Sequence, residues 1–358
     1  MNKIPAIDLH CDTIALIRSC SVQAENERKG LENGPIFFSV SEKELEEGIH
    51  LRHNGRHIDA ERLKGSGYFC QCLGLCASQR AANAAHVTPW EYLQQLFDCF
   101  DREVADCSEL LRPAVSGSEM EANFRAGYVS VMKTMEDSMA LGTDLAHLEE
   151  AYRRGVRMAS LTWNFENDLA FGHRKTETGL EIDAVNGLKP AGREFVKAME
   201  ALGMIVDLSH LNDAGTADVL SLLKPSTPVI ASHSNARALC GHARNLPDEY
   251  LKKIADRGGI IGINFWHAVL NEAYRNGPEK LSAVSDMCEH MKYIRRVAGI
   301  DSIGLGSDFD GITSKTEISG CGEIQKLAEG MDRAGFTGEE IEKVFYKNVL
   351  RVFKDVLG

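Results

Sequence analysis

A (β/α)8 barrel of the TIM type is the fold this sequence predicts, and two independent observations predict it. Eight short runs rich in Val, Ile and Leu alternate with helical spacings along the 358 residues, which is the pattern of one parallel barrel spanning 1–358 rather than of two separate domains. Six side chains of metal-binding type, His10, Asp12, Glu136, His210, His233 and Asp308, stand where those runs end. In a barrel the carboxyl ends of the strands form one mouth. Any one of the six there would be ordinary; all six together are far harder to obtain by chance.

The first run, Ile4 to Leu9, reads as a strand, and residues two apart on a strand share a face. His10 and Asp12 therefore point the same way, a stiff platform for one divalent ion. Imidazole with carboxylate suits zinc and its neighbours better than magnesium or calcium. Alone, H-x-D is a weak motif and most such pairs are polar strand ends. Asp8 lies on the same face two residues deeper, where it either orients a ligand or is satisfied by backbone. From Ser19 to His57 the chain turns polar, with Gly30, Asn33, Gly34 and Pro35 as breakers. We read 19–57 as an insertion between the first two strands, of the length that serves as a lid beside an active-site face. His50, His53 and His57 within it read as loop histidines, since no strand end presents them.

The second strand, Tyr68 to Leu75, carries Cys70 and Cys72, with Cys76 just beyond. The C-x-C-x3-C spacing has no matching second half, so buried reduced thiols are the better reading than a metal site. A helix is expected over Thr88 to Leu111, with Pro89 at its first position. The third strand is Tyr128 to Thr134, and Glu136 stands past its end. A carboxylate there can bridge two ions, or serve the first turn of the helix Thr143 to Arg154, which Thr143 or Asp144 would serve equally well. Arg157 to Thr162 is the fourth strand. Trp163, Asn164 and Asn167 follow it, fitting either a pocket wall or a surface loop.

Helix Leu188 to Leu202 leads into MIVDLSH, and PVIASHS follows about twenty residues later. The fifth and sixth strands, Met204 to Leu208 and Val229 to Ala231, thus each lead to a histidine, His210 and His233. Between them Ala214, Ala217, Val219 and Leu223 have helical spacing, with Asn212 or Asp213 as N-cap and Pro225 beyond the end. Arg237 and Arg244 flank the loop after the sixth strand. Either is placed to hold a carboxylate in a bidentate grip, and either also reads as a solvated charge. A helix opens at Asn245-Leu-Pro-Asp-Glu and closes at Arg257-Gly258-Gly259. Strand seven is Ile260 to Phe265, a helix spans Lys280 to Ala298, and strand eight is Ser302 to Leu305. It runs into G-S-D-F-D-G, with Asp308 at the strand end and Asp310 two residues on. Glu323 to Gly358 reads as two amphipathic helices.

Composition narrows the function classes. No apolar run reaches the roughly 18 residues that span a bilayer. The net charge of -12 argues against nucleic acid or an anionic membrane as partner, since both need a basic footprint. The N-terminus MNKIPAIDLHCD lacks the charged-then-apolar layout of a signal peptide, so a cytoplasmic protein is expected. A small-molecule substrate remains open, because a local arginine can outweigh the global sign.

H-x-D on the first strand, the acid after the third, V-D-L-S-H, S-H-S-x-A-R with R-N-L-P-D, and G-S-D-F-D-G resemble the renal or membrane dipeptidase family. These are the M19 metallopeptidases of the amidohydrolase superfamily. The resemblance runs from about residue 4 to about residue 353 and is strongest from Gly187 to Gly311. It implies a metal-dependent hydrolase barrel with two zinc ions, His10 and Asp12 on one, His210 and His233 on the other, and Glu136 bridging them. It further implies that Asp308 handles protons beside the bridging water and that Arg244 meets the substrate's terminal carboxylate. The expected reaction is hydrolysis of a dipeptide by metal-activated water, in a protein that family habit would make a homodimer. Two departures stand out. Many relatives read L-T-H after the fourth strand and use that histidine near the scissile carbonyl, where this chain has Leu161-Thr162-Trp163, leaving the contact to the zinc ions or to Asn164. The acid stands in M-E-D rather than E-G-G or E-G-A. The rival enzyme is another barrel amidohydrolase cleaving a lactam, lactone or N-acyl amino acid. A metal-dependent binding protein without turnover is the rival of another class, and it would need neither Glu136 nor Asp308 so placed.

Overall fold

The computed structural model describes residues 3–33, 37–177 and 179–358. Among these, eight parallel strands close on themselves: β1 (Ala6–Asp8), β2 (Tyr68–Leu75), β3 (Val129–Met135), β4 (Val156–Ser160), β5 (Ile205–Asp207), β6 (Ile230–Ala231), β7 (Ile260–Ile263) and β8 (Ile303–Leu305). Each pairs with the next, and β8 returns to β1 through Asp8 opposite Leu305. Every residue of β2 and β3 is buried, which is why these strands read as continuous apolar runs rather than alternating ones. Ile7, Cys70, Cys72, Met132, Met158, Ile205, Ile230 and Ile260 meet in one cluster with Val349, Val352 and Phe353 of the C-terminal helix. Only a barrel interior gathers side chains from β1 through β7 in this way. Cys70 and Cys72 are therefore core thiols, and they and Cys76 are unpaired. No helix among the described residues is long and apolar enough to cross a membrane.

Several boundaries differ from the sequence expectation for identifiable reasons. The segment 19–57 does not begin as an irregular loop, because helix Thr13–Lys29 runs through its first part and ends at Gly30, whose φ of 67° suits the left-handed cap. The buried face of that helix includes the polar Gln23 and Asn26, which hid its periodicity. Gly34 and Pro35 lie outside the described residues. The helix expected to Leu111 stops at Ala105, and Leu111–Pro113 instead pairs with the foot of β3. Leu281–Ser282 pairs with Lys315–Thr316, so the helix expected from Lys280 begins at Val284. Asn212 is the cap of Asp213–Leu222, its Oδ1 accepting from Gly215 N at 2.7 Å. Asp144 caps Leu145–Arg153, which frees Glu136 of that role.

Gly262 and Gly306 flank the Ser232 carbonyl, and at either position an added Cβ would overlap that oxygen. Ser232 precedes His233, so the close approach of these backbones sets where the sixth strand delivers its histidine. Gly306→Ala is expected to cost about 1–3 kcal/mol of stability by overpacking, read from denaturant unfolding. An unchanged midpoint would show that the loop gives way without cost.

Candidate metal centre

His10, Asp12, Glu136, His210 and His233 are buried at the carboxyl end of the barrel, and Asp308 beside them is half-buried. Two of them hold unusual backbone: φ is 71° at His210 and 60° at Asp308. Left-handed conformations at non-glycine residues cost energy and collect at functional sites. Here they turn each chain abruptly off its strand and aim the side chain inward.

Glu136 is the hub of the group. Its Oε1 lies 2.7 Å from His210 Nε2, 3.5 Å from His233 Nε2 and 3.9 Å from His10 Nε2. His10 Nε2 is 3.6 Å from Asp12 Oδ2 and has no hydrogen-bond partner although it is buried. Donors bonded to one ion at about 2.0–2.2 Å stand roughly 3–4 Å apart, so this orphaned nitrogen and its neighbouring carboxylates have the spacing of ligands rather than of hydrogen-bond partners. Donor atoms of His10, Glu136 and His233, and of His10, Asp12 and Asp308, fall within 4.8 Å of one another. The residues fit a divalent metal.

Electrostatics agree with that fit. Burial, then His10 and Arg244, hold His233 well below the usual imidazole range, and burial and Arg244 do the same at His210. Both are thus neutral and able to ligate. At His10 burial also pulls downward but is outweighed by Glu136, Asp12 and Asp308, which raise it to about 10. Burial and then Glu136 raise Asp12 to about 6. Asp308 is raised to about 7 by burial, with Asp12 and Glu136 adding to the rise and His10 opposing it. Crowded carboxylates that cannot all ionise call for cationic charge, and an entering cation reverses these shifts.

The supporting residues were largely missed in the sequence. Asp207 accepts from Ser232 N at 2.9 Å and Ser232 Oγ at 2.5 Å, and Ser232 Oγ bonds His233 Nδ1 at 2.8 Å. Asp8 repeats the arrangement on β1, accepting from Ser307 N at 2.8 Å and Ser307 Oγ at 2.6 Å one residue before Asp308. The repeated I-D-L-H and V-D-L-S-H was the signal that could have found this pair. Asn164, expected at the substrate, puts its Oδ1 2.8 Å from His210 Nδ1 and so orients that ring. Trp163 stacks on His210 at 5.8 Å. Asp310 turns away from the cluster to Thr13 Oγ1 at 2.7 Å and His57 N at 2.8 Å, which gives His57 a structural role. Asn264 Nδ2 donates to Asp308 Oδ2 at 3.1 Å.

The two arginines separate cleanly. Arg237 is committed to Asp213 through bonds of 2.7 and 2.6 Å. Arg244 is 7% exposed, has no acid partner among the described residues, and makes one long side-chain bond, Nη2 to the His233 carbonyl at 3.4 Å. Burial lowers it to about 10, so it still carries its charge. A cavity of about 490 Å³ is lined by Asp12 and Glu136 and walled by Val22, Phe38, Tyr92, Met139, Trp163 and Phe165 among others.

The model of the family described as membrane dipeptidase, peptidase family M19, matches residues 1–357. An uncharacterized protein in the pqqA 5′ region of Klebsiella pneumoniae is 30% identical over 268 residues, 75% of this chain and 97% of that protein. Dipeptidase tcpJ of Claviceps purpurea is 30% identical over 308 residues, 84% and 69% of the two chains. Among solved structures, a metallo peptidase from Rhodobacter sphaeroides, liganded with a phosphinate mimic of the dipeptide L-Ala-D-Ala, superposes with a TM-score of 0.81 at 24% identity. That match covers 99% of this chain and 100% of the other. A dipeptidase of family M19 gives the same score and identity over the full length of both chains.

Proposed function

Since the chain belongs to the membrane dipeptidase family, M19, and is a metallo-dipeptidase, we propose that it works with two zinc ions bridged by Glu136 on dipeptides with a free C-terminal carboxylate. His10 and Asp12 would hold one ion and His210 and His233 the other. The observation that carries the substrate assignment is Arg244, a buried cation without an acid, beside the cluster of imidazoles and carboxylates.

When bound, the ions would supply Lewis acidity and bring the pKa of a shared water toward neutrality. Asp308 takes the proton of the attacking water and delivers it to the leaving nitrogen, a base turned acid, while Asn264 holds its carboxyl in place. Arg244 grips the terminal carboxylate, so the residue after the scissile bond must be the last. With the carboxylate there and the carbonyl over the cluster, the first residue extends toward Asp12 and Glu136, and its side chain enters the aromatic-walled cavity. Apolar and aromatic first residues are therefore favoured.

The test is elemental analysis of protein purified without chelator, with hydrolysis of L,L and L,D dipeptides, the latter included because of the ligand carried by the Rhodobacter relative. Two zinc per chain with dipeptide turnover is expected. Arg244→Met should raise KM roughly 10–100-fold, the worth of hydrogen bonds to a charged group. Metal without dipeptide turnover, together with hydrolysis of a lactam, lactone or N-acyl amino acid, would replace this reading.

A further inference from the structure

We infer that His173 is a substrate-binding residue, completing with Arg244 and His242 an anion subsite for one carboxylate. The inference rests on the dipeptidase reading, in which that carboxylate is the free carboxyl of the dipeptide's second residue.

His173 is 5% exposed, and neither Nδ1 nor Nε2 has a hydrogen-bond partner among the described residues. A buried imidazole with both nitrogens unsatisfied is uncommon and points to a partner that arrives from outside the chain. Its position is fixed from two sides. The His173 amide donates to the Asn164 carbonyl at 3.1 Å, the same Asn164 that orients His210, and Asn212 Nδ2 donates to the Gly172 carbonyl at 2.9 Å. After burial, the Arg244 guanidinium is the strongest influence on His173, His210 and His242 alike. The geometry joins them: Arg244 Nη2 reaches the His233 carbonyl at 3.4 Å, His233 Nε2 lies 2.9 Å from His210 Nε2, and Asn164 ties His210 to His173.

His242 Nδ1 accepts the Arg244 amide at 3.1 Å, which leaves the proton of the neutral ring on Nε2 as a donor. Burial and Arg244 push His173 and His242 each down to about 3, so both add hydrogen-bonding capacity without adding charge. The other nearby cation, Arg237, is neutralised by Asp213. One unpaired positive charge with neutral donors around it matches a monoanion such as a carboxylate better than a dianionic phosphate ester.

The experiment uses the zinc-loaded enzyme and a reduced-bond alanylalanine, CH2–NH in place of CO–NH, as the free acid and as the amide, with calorimetric binding. Wild type should bind the acid more tightly than the amide. His173→Phe should weaken the acid by roughly 10–100-fold, as expected for a lost hydrogen bond to a charge, and should spare the amide and the zinc content. His173→Gln, which keeps an N–H donor, should recover part of the loss. In hydrolysis of alanylalanine, His173→Phe should raise KM and leave kcat. Equal weakening of acid and amide, or of neither, would overturn the subsite and leave His173 a packing residue satisfied by water. Acid-selective binding by a wild-type enzyme that hydrolyses no dipeptide would overturn the dipeptidase reading and leave the subsite standing.

Discussion

Asp308→Asn should lower turnover of a dipeptide by roughly 10²–10⁴-fold, the usual worth of a positioned acid–base group, while both metals stay bound. Asn keeps the shape, tolerates the left-handed backbone of this position (φ 60°) and cannot carry the proton. The general base must be ionised, so wild-type kcat/KM should rise with pH through the Asp308 carboxyl. Burial raises that carboxyl to about 7 in the metal-free site, and bound cations draw the limb lower. The limb should be missing from the variant. Stability moves oppositely. The folded metal-free protein keeps the proton on Asp308 up to about pH 7, whereas the unfolded chain releases it near the ordinary value of about 3.9. Stability is therefore lost as pH rises through that window, and the amide removes the loss. Metal-free Asp308→Asn should thus match or exceed wild type in stability at neutral pH. Near-full turnover by Asp308→Asn with both metals bound would eliminate the proton role.

Glu136→Gln should release metal as well as abolish turnover. Glu136 Oε1 stands within 3.9 Å of three imidazole nitrogens, and no other carboxylate is so placed among the described residues. On the proposed bridging role, its loss would remove a negative charge from between the ions. The fall in zinc affinity should exceed the roughly 10–100-fold typical of removing a group that only orients a ligand, which Ser232→Ala would supply as the comparison. Elemental analysis after dialysis gives the count, and the rise in melting temperature on adding zinc should shrink with it. A Glu136→Gln protein that kept both ions would show that the carboxylate is not the bridge.

The ligand-type residues were legible in the sequence because strand period and barrel topology together fix where a residue at the end of an apolar run must go. These two place His10, Asp12, His210 and His233 at one mouth, and their assignment as ligands came from the joint pattern and the family resemblance. Apart from the family resemblance at R-N-L-P-D, nothing in the sequence told Arg244 from Arg237, since the difference lies in Asp213, which is remote in the chain and occupies only one of them. Asp207 and Ser232 escaped notice because a strand-end aspartate and a serine before a histidine look like ordinary turn residues until the neighbouring strands are laid side by side. His173 carried no local signal, being a lone histidine in a polar loop; its meaning comes entirely from what fails to touch it. Helix Thr13–Lys29 was not read as a helix because two amides on its buried face broke the apolar rhythm.

The paired Asp8–Ser307 and Asp207–Ser232 contacts have a consequence for how the enzyme acquires its ions. Both are made wholly within the protein, so these supports take no bond from a cation and are expected to form without one. Loading is then a late step, separable from folding, unlike that of a zinc finger. Which divalent ion the enzyme carries is decided by donor chemistry and by what the surrounding fluid supplies, so preparations grown in manganese or cobalt should come out carrying those metals in place of zinc.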